Sequence, residues 1–339
     1  MEDEVLKTIW YFSFFDYPPN FEEIHTFLGK KATKKKVEKV LGDLERQKKI
    51  KKEKDFKKVT RYMLQVTSKD TVGEYGKKLK IKNEKIKIEK YNERYLFSQK
   101  KLETWRVRLY LKILSFFPQI KLIGFSGSLA MMNADKDDDI DLFIITAKNR
   151  LFTGRFVAII LAKILGIHRF YNKRYKLHVT CYQDKVCLNL FFDESDLAVP
   201  DFKRNEYVAH EILQMKPIVN KDSVYERFLA ANSWVFEIFP NAKEVLSRKY
   251  KVLSIKKKKS LNTCYLILNT FFNKIEQSLK VFQLHLINRH RTTEIITSTQ
   301  LWFHPNDFYK RIHGLTKKKD KLTRIKTDKK QKNKANQKI

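Results

Sequence analysis

Lys121–Thr146 reads KLIGFSGSLAMMNADKDDDIDLFIIT, and the organisation of the chain follows from it. Ile120, Leu122, Ile123 and Phe125 predict a buried strand, Gly127-Ser128 a tight turn of small residues, and the next residues a short helical segment. An acidic loop then leads into a second strand that carries Asp139 and Asp141. Residues two apart on a strand share a face, so these two carboxylates stand side by side while Ile140 and Leu142 face a core. Two adjacent anions repel at neutral pH unless a cation lies between them. Hard oxygen ligands of this kind suit Mg²⁺ (or Mn²⁺) that also holds substrate phosphates. Gly127 allows close approach of backbone to a phosphate, Ser128 offers a hydroxyl, and the N–H groups that follow favour an anion.

Gly127-Ser128, a spacer of residues 129–138, then Asp139-Ile140-Asp141 followed by Leu142-Phe143-Ile144-Ile145 resembles the signature of the polymerase-β-like nucleotidyltransferase superfamily. The resemblance runs from the strand before Gly127 to the strand near Asn189. It implies transfer of a nucleoside monophosphate from an NTP, with ATP the default donor, to a hydroxyl or similar acceptor. It also implies two metals held by three carboxylates, the third on a later neighbouring strand.

The best candidate for that later strand is Lys185–Phe192, KVCLNLFF, whose polar interior residue is Asn189. An amide takes no proton from an attacking hydroxyl and is a poorer metal ligand than a carboxylate. Three explanations follow: Asp193 or Glu194 supplies the acid, the acceptor needs no base, or the domain binds nucleotides without transferring them. Arg150 and Arg155, at the start of a helix expected over 149–167, carry guanidinium forks suited to a triphosphate. A hairpin is expected from Leu177–Tyr182 and Val186–Phe192, turned at Gln183-Asp184.

The full chain of 339 residues has room for two or three domains. Its 42% hydrophobic residues, with 25 Phe and 15 Tyr, support real cores. No apolar run reaches the roughly 18 residues of a membrane helix. An acidic start, MEDEVLKTIW, lacks the basic region of a signal peptide. Cys181, Cys187 and Cys264 form neither a metal spacing nor a disulfide framework, so a cytoplasmic location is expected. A formal charge of +33 implies polyanionic partners, RNA or DNA among them, although Lys so far outnumbers Arg that part of it reflects general residue usage.

Residues 1–68 predict three helices and a hairpin and resemble a winged helix-turn-helix. Helix one spans about Glu2–Phe15, a second holds Phe21, Ile24, Phe27 and Leu28, and a third runs over Thr33–Gln47. The third leaves Lys34, Lys35, Lys36 and Lys39 for phosphate contacts, without the bidentate side chains that read bases. Residues 69–118 form a helical connector: a lysine-rich part, 76–97, with a solvated charged face, then Leu102–Phe117, amphipathic through Trp105, Val107, Leu109, Leu111, Ile113 and Leu114.

After Pro200 the pattern turns helical, with a break at Pro217, a stop at Pro240, a basic linker at Lys256–Lys259 and a long helix over Leu261–Arg289. Phe303-His304-Pro305-Asn306-Asp307 groups polar residues that a turn also requires. The tail, 316–339, carries eleven Lys or Arg against two Asp and is expected to be disordered, gripping nucleic acid electrostatically. The expectation is an α+β protein: a small mixed β-sheet nucleotidyltransferase core at 119–199, an N-terminal winged helix, a C-terminal helical region at 200–315 and a basic tail. A nucleotide-binding, nucleic-acid-binding regulator without catalysis is the alternative.

Overall fold

The computed structural model describes residues 1–65, 88–168, 185–250, 265–289 and 294–303. The expected strand Leu177–Tyr182, Cys181, Cys264, the Lys256–Lys259 linker, His304–Asp307 and the 316–339 tail lie outside them.

The chain is α+β with a mixed sheet. Strands β3 (Ile120–Phe125), β4 (Ile140–Thr146) and β5 (Val186–Asp193) form its centre, with β3 antiparallel and β5 parallel to β4. β4 is apolar at nearly every position because both of its faces are covered. Ile140, Leu142 and Ile144 meet α5 (Trp105–Phe116) and α7 (Leu151–Ile164) through Val107, Tyr110, Leu151, Phe152 and Ala158. Phe143 and Ile145 face the other way, onto α8 (Glu206–Gln214) and α9 (Val224–Ala231) through Ile212, Leu213 and Phe228.

The C-terminal region, expected to be helical, also supplies strands. Lys216–Asn220, where Pro217 predicted a helix break, is β6, antiparallel to β3. It is an edge strand, where a missing N–H is tolerated, and Pro217 pairs with Gly124 beside a register shift. A Cβ at Gly124 would lie 2.4 Å from Met215 Sδ, so a larger residue there would force the buried Met215 side chain to move. After α10 (Val235–Ile238), α11 (Ala242–Tyr250) and the long α12 (Tyr265–Asn288), β7 (Ile295–Ile296) and β8 (Gln300–Trp302) complete the order β6-β3-β4-β5-β8-β7.

The N-terminal residues form three helices and a hairpin close to the expected bounds: α1 (Glu2–Ser13), α2 (Phe21–Thr26), α3 (Lys34–Arg46), β1 (Ile50–Lys54) and β2 (Thr60–Leu64). Asn20 and Glu23 make a reciprocal capping box at α2, and Thr33 caps α3. Lys34, Lys35, Lys36 and Lys39 are exposed, with Lys34 bonded to Glu22 at 2.5 Å. This module docks on the rest through Phe12, Tyr17 and Phe27, which join the core on the α8 side. His210 of α8 stacks between Tyr11, at 3.9 Å, and Phe27, at 4.3 Å. Burial there holds its imidazole well below the ordinary pKa, hence neutral.

Two expectations for the connector are corrected. α4 (Ile88–Glu103) is not simply a solvated charged helix: it buries Ile88, Tyr91, Ser98 and Lys101. In α5 the buried stripe is Val107, Tyr110 and Leu114, at helical spacing, while Trp105 is 64% exposed and outside it. Tyr91 ties α4 to the hairpin, because its hydroxyl accepts a 2.6 Å hydrogen bond from Arg61. Arg61, 6% exposed, also donates to Asp55 at 3.0 Å, to Glu23 and Tyr17 at 3.2 Å, and to the Pro18 carbonyl at 3.3 Å.

Arg61→Ala leaves Asp55 buried without its cation. The variant is expected to lose about 3–5 kcal/mol in urea unfolding, whereas the exposed Lys35→Ala should change stability by less than about 0.5 kcal/mol.

Candidate active site

The acidic pair sits where β4 emerges from its two cores. Strand alternation sets Asp141 on the Phe143 side of the sheet, and Asp139 two residues earlier. Opposite it, the chain leaves β3 and turns at Gly127 with φ +61°. A Cβ at that position would stand 2.9 Å from Asp141 Oδ2, so glycine is favoured both by the left-handed backbone and by the carboxylate beside it. Gly127–Ala130 forms the short helical turn α6 expected after it. Ser126 N–H donates to the Asp141 carbonyl at 3.1 Å, which fixes the turn against the end of β4.

The neighbour of Asp141 on β5 is Cys187, its partner in the parallel register. The register then shifts, so that Phe143 faces Leu190 and both Leu188 and Asn189 fall within the irregularity. One ligand atom each from Asp139, Asp141 and buried Cys187 lies within 4.8 Å of the others. Asn189 leans to the same place, its Nδ2 donating to Asp141 Oδ1 at 3.4 Å. Two residues therefore approach Asp141 from β5, an amide and a thiol. The spacing of the cysteines carries no sign of this role, but KVCLNLFF places Cys187 and Asn189 on one face by simple alternation.

The donor chemistry fits a divalent cation. Two carboxylates at the mouth of a turn suit Mg²⁺ or Mn²⁺, while the Cys187 sulfur is a soft ligand that Mg²⁺ does not use.

Asp193 and Glu194 are too far away to serve as the third acid. In the parallel register Asp193 pairs with Thr146, at the other end of β4, roughly 17 Å along the strand from Asp141. Asp193 there accepts from Asn149 N–H at 2.7 Å, and Glu194 from Arg227 at 2.6 Å.

Arg150 and Arg155 are likewise not brought to the acidic pair. Arg150 precedes α7 and Arg155 lies on it, a helix that covers the face of the sheet opposite Asp141, and both reach α12. Arg150 donates to Asn273 Oδ1 and Arg155 to Gln283 Oε1, each at 2.7 Å. The N–H groups that open α7 are taken by the carboxylate of Glu276, at 2.8 Å from both Phe152 N and Thr153 N. Burial pushes the Arg155 guanidinium down to about 10.

Other residues surround Gly127 instead. Ser128 Oγ donates to Asp138 Oδ2 at 3.0 Å, an oxygen that also accepts from Asp135 N–H at 2.9 Å. Lys101 of α4, 3% exposed, holds the acidic loop by donating to the carbonyls of Lys136 and Asp138 at 2.8 and 2.7 Å. Arg94, about two turns earlier on α4, reaches Asp135 Oδ2 at 3.3 Å. Gly127 N–H donates to Glu211 Oε2 at 3.3 Å, so an internal carboxylate takes the donor that the sequence assigned to phosphate. No pattern in the sequence ties Glu211 or Arg94 to Gly127; only the packing of α8 and α4 does so. Gly127, Ser128, Arg94, Asp138 and Glu211 line a cavity of about 320 Å³.

Burial raises the pKa of Glu211, and its hydrogen bonds from Gly127 N–H and Tyr207 offset this only in part. A carboxyl whose folded pKa exceeds its unfolded one destabilises the fold as pH climbs from about 4.3 through the raised value. Glu211→Gln keeps an acceptor for Gly127 and removes the charge. Its melting temperature is expected to match wild type near pH 4 and to exceed it by a few degrees at pH 7.

The chain matches no protein-family model, no curated protein and no solved structure.

Proposed function

We propose that the chain is a metal-dependent nucleotidyltransferase that moves an NMP from an NTP to an acceptor hydroxyl, releasing pyrophosphate. The observation that carries this is the placement of Asp139 and Asp141 at the end of a central strand, directly against the φ-positive turn at Gly127. A divalent cation held by the two carboxylates would neutralise the triphosphate and polarise the acceptor. Asp139 and Asp141 hold the charge, Gly127 permits close approach of the phosphates, and Ser128 and Arg94 flank them. Since Asp135, Asp138 and Glu211 crowd the same cavity, a triphosphate enters it favourably only as a metal complex. The three helices and hairpin at the N-terminus, read as a winged helix, would offer Lys35, Lys36 and Lys39 to RNA or DNA phosphates.

A second reading is favoured by a specific pair of observations. The groups that approach Asp141 from β5 are a thiol and an amide, Cys187 and Asn189, and no carboxylate, and Glu211 occupies the Gly127 N–H. Both suit a nucleotide-binding regulator that does not turn over.

The two readings separate on incubation of the full chain with each NTP labelled at the α-phosphorus, Mg²⁺ or Mn²⁺, and total cellular RNA and protein. Nucleotidyl transfer predicts label on an acceptor and a loss of about a hundredfold or more in Asp139→Ala/Asp141→Ala. Saturable NTP binding without transfer under either metal supports the regulator, and absence of both sinks the nucleotide reading altogether.

A further inference from the structure

Asp139 and Asp141 come from one strand, and the third group that converges on them comes from its parallel neighbour. Cys187 pairs with Asp141 in the β4–β5 register; its side chain is buried, at 2% exposure, and the two carboxylates are half-buried. Its Sγ and one oxygen of each aspartate lie within 4.8 Å of one another. Tetrahedral bonds of about 2.0 Å to oxygen and 2.3 Å to sulfur set neighbouring ligand atoms roughly 3.4–3.6 Å apart. The three atoms therefore need to close by at most about 1.4 Å to share one cation.

The donor set is mixed in kind, and that is what separates one cation from another. Mg²⁺ binds through oxygen, keeps several of its waters and gains nothing from a thiol. Zn²⁺ takes carboxylate oxygen and thiolate sulfur together, and three protein ligands with a fourth position open is the arrangement of its reactive sites. Two features outside the three ligands agree with a cation here. Asn189 Nδ2 donates to Asp141 Oδ1 at 3.4 Å, which orients the carboxylate as the outer partners of a metal site do. Asp141 Oδ2 faces the turn at Gly127, where a Cβ would stand 2.9 Å away, so the turn puts no side chain beside that oxygen. The amide at 189 thus gains a role: it adds neither a charge nor a hard ligand, and it holds one that is already present.

We infer that Asp139, Asp141 and Cys187 form a binding site for a thiophilic divalent cation, Zn²⁺ in preference to Mg²⁺, with Asn189 positioning Asp141. The inference rests on the reading of the two aspartates as a cation-holding pair and not on nucleotidyl transfer. Mg²⁺ uses the carboxylates alone and leaves the thiol protonated. Zn²⁺ takes all three groups: a Zn–S bond forms, the S–H bond of Cys187 breaks, and its proton passes to solvent. Zn²⁺ at low concentration therefore competes with a large excess of Mg²⁺ for the same two aspartates.

The test titrates the full chain, without nucleotide, with Co²⁺, whose bond to a thiolate gives a near-ultraviolet charge-transfer band. A saturable band is expected, abolished by Zn²⁺ and retained in millimolar Mg²⁺. Cys187→Ser should remove the band and weaken Zn²⁺ binding by at least the roughly tenfold to hundredfold that an outer partner of a metal is worth. Asp139→Asn/Asp141→Asn, which leaves the buried thiol in place, should lose the band as well, so the result does not hang on one core variant. Cys181→Ser/Cys264→Ser should keep it. Absence of the band, its persistence in Cys187→Ser, or displacement of Co²⁺ by millimolar Mg²⁺ would overturn the inference. Mg²⁺-dependent ATP binding by a chain that shows no band defeats this inference alone; a band in a chain that binds no nucleotide supports it and defeats the nucleotide reading.

Discussion

A strand covered on both faces can carry charge only at its ends. β4 is such a strand: Ile140, Leu142 and Ile144 fill one core and Phe143 and Ile145 the other. Burying these side chains contributes on the order of 2 kcal/mol each, whereas an unpaired carboxylate within the strand would cost several kcal/mol. Asp139 and Asp141 are therefore confined to the end where the chain enters β4, and the turn after β3 passes Asp141 at Gly127 without a side chain. The parallel partner β5 brings Cys187 and Asn189 to the same end and carries Asp193 to the other. One architectural demand thus gathers the polar groups at a single mouth of the sheet.

What shapes that mouth comes from elsewhere in the chain. α4 anchors the acidic loop through Lys101 and Ser98, the latter accepting from Ala134 N–H at 2.9 Å, and places Arg94 beside it. At its other end α4 is fixed by Tyr91 to Arg61, which also binds the α1–α2 turn and the hairpin. His210 and Glu211, adjacent on α8, divide the work: one is buried in aromatic rings of α1 and α2, the other reaches Gly127. The N-terminal module and the candidate site are thus joined through contacts of these two elements.

The sequence made the centre of the fold legible because its local signals agreed with its burial. Apolar runs marked β3, β4 and β5, and helical spacing marked α1, α2 and α3. It misled where a local signal was real but answered by topology. Pro217 does interrupt a helix, yet an edge strand accepts it. Arg150 and Arg155 do lie near a helix start, but α7 occupies the other face of the sheet and Glu276 caps it. Cys187 has no metal-like spacing to the other cysteines, and Glu211 reaches Gly127 through long-range packing that leaves no local mark. The lysine-rich connector hid Tyr91, Arg94 and Lys101 because buried polar residues have the composition of a surface helix.

The central claim is that Asp139 and Asp141 hold a cation that brings a nucleotide to Gly127. Equilibrium dialysis of ATP against the full chain, with Mg²⁺ or with EDTA, for wild type and Asp141→Asn, tests it most directly. The account predicts that Mg²⁺ tightens ATP binding to wild type by about tenfold or more and that Asp141→Asn loses this dependence. Binding of equal strength with EDTA, or an unaltered Mg²⁺ dependence in Asp141→Asn, would contradict it.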